Sequence, residues 1–237
     1  MAQLTFGCTG VRAARHTATP ALSFALTITE STGARIHAIA LRCQIRIEPQ
    51  RRRYSAAEAE RLSDLFGDTS RWADTMKPVQ LATVSVMVPG FTSVTETDLE
   101  VPCTYDLEVA SARYLRALDD NPPGGNTVSL ENTVPLLLLF SGTVFIANGD
   151  RFSVELIPWS SEASYRMPAS VWQDVVDEHF PGSAWLRCGR DTLDALSAFK
   201  ASRALPTWDA TLTTLLAEAQ QKKERLKETQ SLREAES

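Results

Sequence analysis

The sequence predicts a mainly β, α+β protein: an Ig-like antiparallel β-sandwich with one inserted helix and a C-terminal helical segment. Apolar and polar residues alternate with a period of two in several runs before residue 158, and turn-forming proline and glycine pairs separate those runs. Beyond Pro158 the apolar spacing becomes helical.

The first clear alternation is Leu22, Phe24, Leu26 and Ile28, followed by a polar turn at 30–33. Ile39, Leu41, Cys43, Ile45 and Ile47 then form the strongest run, with Arg42, Gln44 and Arg46 on the opposite face, and Pro49 ends it. Two such strands joined by a short turn predict a hairpin. Ser55 and Glu58 have capping-box spacing, and Ala59, Leu62, Leu65 and Phe66 recur as on a helix, so a helix is expected over about 55–66 with Gly67 as its stop. Strand patterns resume at 81–88 and 94–101, divided by Pro89 and Gly90.

Residues 105–118 fit either period, and their place after Pro102 and before the loop 119–126 favours a strand. Residues 134–146 are nearly all apolar and predict a central strand covered on both faces. After the turn at Asn148 and Gly149, Phe152, Val154 and Leu156 alternate in a returning strand. Helices are then expected from Ser170 (Trp172, Val175, Val176 and Phe180 inward), from Asp191 (Leu193, Leu196, Phe199) and from about Asp209. The organisation read from this is a sandwich body over 1–158, a helical segment over 159–216 packed on it, and a charged tail over 217–237, partly helical or disordered.

A net charge of −5 opposes a nucleic-acid or anionic-membrane partner, both of which are found through a positive field. No apolar run is long enough to span a bilayer and the first residues do not have signal-peptide form, so the expected location is cytoplasmic. Cys8, Cys43, Cys103 and Cys188 lie tens of residues apart without a Cys-x-x-Cys pair and read as reduced core side chains. His16, His37 and His179 share no metal-ligand spacing, and no phosphate loop, nucleophile elbow or dinucleotide fingerprint occurs. No catalytic residue, metal ligand or cofactor site is therefore assigned. Acid pairs such as Asp119 with Asp120, or Asp106 with Glu108, leave open a hydrolase whose carboxylates converge only in the fold.

The densest basic run, Arg51, Arg52 and Arg53, leads into the capped helix and could clamp an acidic partner surface through bidentate contacts. Arg71 and Trp72 form a second candidate pair, with core packing of Trp72 as the alternative. Of the five tryptophans, Trp159, Trp172, Trp185 and Trp208 fall in the last third; an exposed cluster would mark a partner face, or a carbohydrate- or peptide-binding strip.

The stretches Ile39–Tyr54, Val101–Val109, Pro135–Phe145, Arg187–Arg203 and Leu205–Asp209 resemble an actinobacterial domain-of-unknown-function family encoded in NiFe-hydrogenase gene clusters. The resemblance covers most of residues 20–216 and implies an accessory, non-catalytic protein. Its expected partners are hydrogenase subunits or maturation factors, in assembly, maturation or electron delivery. It carries no functional residue across, and the oligomeric state stays open.

Overall fold

A strand whose alternate residues are all apolar must find cover for that face, and the molecule is arranged around two such strands. In the computed structural model these are β2 (Ala21–Glu30) and β3 (Ile36–Ile47), which lie in different sheets. Described are residues 2–103, 111, 113–118, 132–149, 151–179, 181–182 and 188–235, with backbone alone at 116 and 226–235. They divide into two compact units, 1–183 and 184–237.

In the first unit β2 is flanked by β1 (Leu4–Ala13) and β5 (Val94–Pro102). The second sheet runs β4 (Val79–Phe91), β3, β6 (Thr133–Asn148), and the far edge of β6 pairs with both β7 (Arg151–Leu156) and β8 (Glu162–Pro168). Every pairing is antiparallel. Strands A-B-E facing C′-C-F-G describe an Ig-like sandwich, and β7 and β8 together fill the G position. Leu22, Phe24, Leu26 and Ile28 are almost wholly buried, as are the odd residues Ile39 to Ile47 of β3, and all join one core cluster. Phe6 of β1 stacks on Phe140 of β6 with centroids 4.5 Å apart, tying one sheet to the other.

The predicted β2–β3 hairpin is corrected: the turn between them is a corner that carries the chain from one sheet to the other. Glu30 explains the corner. Its carboxylate, inside the turn, accepts the backbone amides of Gln3, Thr32 and Ala34 and the Thr32 hydroxyl. These bonds, the Thr32 hydroxyl first, hold its pKa down at about 2.

The strand preferred over 105–118 is also corrected where it can be compared. Residues 104–110 and 112 lie outside the described residues, but Arg113–Ala117 is a helical turn, with Tyr114, Leu115 and Ala117 buried. The helical facing of Tyr114, Leu115 and Leu118 prevailed over the alternation upstream. The loop at 119–126 and its acid pair Asp119 and Asp120 lie outside the described residues, as do Asp106 and Glu108.

The sandwich does not end at residue 158. β8 lies inside the segment assigned to helices, because the alternation of Ala163, Tyr165 and Met167 against Ser164 and Arg166 is short and follows a proline. The helix at Ser170–His179 forms as expected, burying Val171, Trp172 and Val175 against β1, β2 and β8, and it belongs to the first unit. Phe180 is outside the described residues. The second unit holds helices Arg190–Ser202 and Trp208–Ala235, joined by an Arg203–Glu218 ion pair. Gly189, not Asp191, is the N-cap of the former, and the latter carries the charged tail in helical form. Among the described residues no helix is long and apolar enough to cross a membrane.

β6 is covered on both faces only from Thr133 to Leu136; from Leu137 its residues alternate, and Ser141 is exposed. At Gly142, φ is +135° and an added Cβ would lie 2.0 Å from the Ala40 carbonyl oxygen on β3, a fixed backbone atom.

Two stability outcomes follow. Glu30's depressed pKa means that its contribution is fully present above about 4.5, the ordinary value, and is lost as pH falls toward about 2. Glu30→Gln is expected to lower the melting temperature at pH 7 and flatten the decline of stability across that window, measured by thermal unfolding at stepped pH. Gly142→Ala is expected to cost about 3 kcal/mol in urea unfolding, since neither the strained φ nor the β3 carbonyl can relax cheaply.

Candidate interaction surface

The basic run folds into a cap over one end of the sandwich. After β3, Pro49–Arg51 makes a single 3-10 turn, and the chain enters helices α1 (Ala56–Arg61) and α2 (Ser63–Phe66). Ser55 and Glu58 form the reciprocal capping box that their spacing predicts. Glu58 does a second job: its Oε2 accepts the Ser55 amide at 2.8 Å while Oε1 accepts from Arg52 Nη2 at 2.7 Å. Both side chains of this ion pair are nearly buried.

Arg52 is therefore turned inward, where its guanidinium also lies 5.2 Å from the Tyr54 ring centroid. Tyr54 donates its hydroxyl proton to the Pro49 carbonyl at 2.7 Å, so the Tyr114 hydroxyl, 2.8 Å away, must donate to Tyr54. Burial pushes the Tyr54 hydroxyl up to about 12 and the Tyr114 hydroxyl higher still. Phe66 and Trp72 complete an edge-to-face cluster with these tyrosines, and the Trp72 indole donates to the Gly67 carbonyl at 3.0 Å.

Of the five residues singled out in the sequence, Arg52 and the half-buried Trp72 thus hold the cap together. Arg51 is exposed at its side chain but bonded to the buried Glu48 carboxylate at 2.7 Å. Arg53 and Arg71 are exposed. The structure brings Arg51, Arg52 and Arg53 onto one loop and divides them between interior and solvent.

A second surface lies on the outer face of the five-stranded sheet. The edge strand is interrupted between β7 and β8: Ile157 donates to Gly142 and Phe140 donates to Ser161, so residues 157–161 bulge out opposite a short stretch of β6. Trp159 sits in that bulge, fully exposed. Beside it is an open groove of about 610 Å³ lined by Arg42, Gln44, Ser141, Leu139, Leu156 and Trp159, among others. Phe152, Val154 and Leu156 are 60%, 61% and 78% exposed, and Met87 on β4 is exposed on the same face. His37, at a register shift in β3, tilts onto the Phe152 ring with centroids 4.4 Å apart.

The sequence names Trp159 only as one of the tryptophans whose exposure would mark a binding face, and it gives no outward direction to β7. Pro158-Trp159 straight after an alternating run was the available signal, because a proline there breaks the ladder and frees the next side chain. Trp208 is partly exposed, with Lys200 Nζ 5.9 Å from its ring centroid, and Trp185 lies outside the described residues.

A smaller hollow of about 300 Å³ on the other sheet contains Glu96 and Asp98, but Asp98 is bonded to Arg12 at 2.8 Å. Among the described residues no three of His, Cys, Asp and Glu are grouped to hold a metal ion. Cys43 is buried and Cys8 and Cys103 half-buried; burial raises their thiols to about 12, 11 and 12, while Cys188 is exposed. His179 sits in the last turn of its helix, its ring nitrogens near the carbonyls of Val175 and Thr17.

The inward turn of Arg52 has a measurable consequence. Arg52→Ala leaves the Glu58 carboxylate buried without this partner and is expected to cost about 3–5 kcal/mol in urea unfolding. Arg53→Ala, at an exposed position, is expected to stay within about 0.5 kcal/mol of the parent.

No curated protein matches the sequence. Among solved structures, a Bordetella pertussis protein described as ApaA aligns at 11% identity with a TM-score of 0.26, over 70% of this chain and 95% of its own. A β-glucosidase 3B from Thermotoga neapolitana aligns at 8% identity and 0.23, and a Bifidobacterium adolescentis β-glucosidase at 11% and 0.22, over 70% and 66% of this chain. In both cases the alignment takes in only 17% of the glucosidase, and none of these likenesses carries an argument about activity. The sequence itself is decisive: residues 1–224 match one family model, and the chain belongs to the Family of unknown function (DUF6084).

Proposed function

We propose that this chain is a non-catalytic interaction protein that binds a protein partner on the outer face of its five-stranded sheet, with Trp159 as the anchor. The observation behind this reading is the fully exposed indole beside an open, partly apolar groove, bordered by exposed Leu156, Val154 and Phe152. A large aromatic side chain at full exposure has most to gain from burial, and interface energy concentrates in such residues. Arg42 and Gln44 at the groove can supply the polar rim that fixes orientation. Exposed Arg53 and Arg71 offer a separate basic contact to an acidic partner surface, with Arg51 adding the free part of its guanidinium.

The resemblance to a family encoded beside NiFe-hydrogenases supplies the class of partner: a hydrogenase subunit or maturation factor, met in a cytoplasmic assembly, maturation or electron-delivery step. A second reading rests on the same indole. Trp159 with Arg42, Gln44 and Ser141 would suit a sugar ring stacked on the aromatic face with its hydroxyls bonded at the sides.

Native co-purification with mass spectrometry, run in parallel on the parent and on Trp159→Ala, tests the leading reading. Hydrogenase subunits or maturation factors are expected on the parent and weakened at least about 30-fold on the variant, the effect of losing about 2 kcal/mol at an anchor. Their absence from the parent would reject the hydrogenase assignment. Trp159 fluorescence that shifts with oligosaccharides and not with any protein would favour the second reading.

A further inference from the structure

β7 is an open sheet edge that matches itself. The Ile157 amide donates to the Gly142 carbonyl at 3.0 Å, and β7 pairs with β6 without a register shift, from Thr143 opposite Leu156 to Asn148 opposite Arg151. Antiparallel geometry then points the amides and carbonyls of Arg151, Ser153 and Glu155 toward β6 and those of Phe152, Val154 and Leu156 away from it. Among the described residues nothing bonds these outward groups. The same three residues expose their apolar side chains on the outer face.

The rest of this edge is closed. β1 lies against β8, and the bulge at 157–161 separates β8 from β7, so the open stretch is only as long as β7. Long open edges are ordinarily blunted by charge or proline, and the outward positions of β7 have neither.

We infer that two copies of this chain associate through β7, antiparallel across a two-fold axis at Val154, so that the five-stranded sheet continues into its copy. In this register Val154 faces Val154 of the second copy and Phe152 faces its Leu156, and every outward amide and carbonyl is paired, about six hydrogen bonds in all. The apolar side chains then form one uninterrupted strip. On the other face Ser153 meets Glu155 of the second copy, and Arg151 lies diagonal to that carboxylate, which also accepts the Ala2 amide at 2.9 Å. The two-fold axis repeats this favourable charge pair, and no like charges meet. Moving the axis to Ser153 removes a pair of bonds and leaves Leu156 without an apolar partner. The association goes beyond the partner reading; it shares Leu156, Val154 and Phe152 with the border of the Trp159 groove, but it rests on the main-chain edge of β7 and is read at Val154 rather than at Trp159.

Sedimentation velocity of the full chain from about 1 to 200 µM is expected to show a reversible monomer–dimer equilibrium. Val154→Lys sets two ammonium groups face to face on the axis and should raise the dissociation constant at least about 100-fold, with the melting temperature unchanged at protein concentrations where the parent is monomeric, because Val154 is exposed and its amide lies outside the β6 ladder. In a Cys188→Ser background, Val154→Cys is expected to form a covalent dimer with diamide, the facing Cα atoms being about 5.5 Å apart, and Ser153→Cys is not. A chain monomeric throughout, a dimer unaffected by Val154→Lys, or cross-linking favoured at Ser153→Cys would each overturn the inference.

Discussion

The burial of one alternating row on β3 sets the position of nearly everything else. Ile39, Leu41, Cys43, Ile45 and Ile47 are almost wholly enclosed, while Arg42, Gln44 and Arg46 point the other way. A slip of one residue against either neighbour would drive two arginines and a glutamine into the core, a cost of many kcal/mol without partners. β3 therefore dictates the register of β4 and β6, which flank it along its length. Through β6 it places Gly142 against Ala40, the bulge at 157–161 and the open strand beyond.

How far the sequence discloses this depends on the range of the interaction. β2, β3 and β6 were legible because burial imposes a period on each strand by itself, and the Ser55–Glu58 box because its bonds span three residues. The assignment of β2 and β3 to different sheets was not legible, because it depends on Glu30 collecting amides from Gln3, Thr32 and Ala34 across two strands and a turn. β8 was too short and too close to Pro158 for its alternation to outweigh the helical pattern downstream. At 113–117 two periods coincide in the residues, and only the packing of Tyr114 beneath Tyr54 and Phe66 selects the helix.

The basic loop illustrates the same limit at a candidate site. Three consecutive arginines look equivalent in sequence, yet Arg52 is buried on Glu58, Arg51 is tethered to Glu48 and Arg53 faces water. The difference arises because Glu58 is fixed by its capping role before any partner is considered, so its second oxygen presents a ready acceptor to whichever arginine the 3-10 turn aims at it. Charge density alone therefore overstates the surface available for binding: part of it is spent internally, on holding an aromatic cap in place.

β7 presents the opposite case, since its period is as clear as that of β3 yet neither of its faces is buried. Phe152, Val154 and Leu156 face solvent on the outer side, while on the other side Arg151 and Ser153 are exposed as well and Glu155 is half-buried. In an isolated sandwich this apolar row gains nothing, because neither side of β7 takes it out of water. Register cannot be the cause, since β6 fixes it residue by residue. The pattern becomes intelligible once the outer face and free edge of β7 are regarded as surfaces meant to be covered. Apolar side chains and unpaired main-chain groups then converge on the same three residues, and a strand added there would bury both together.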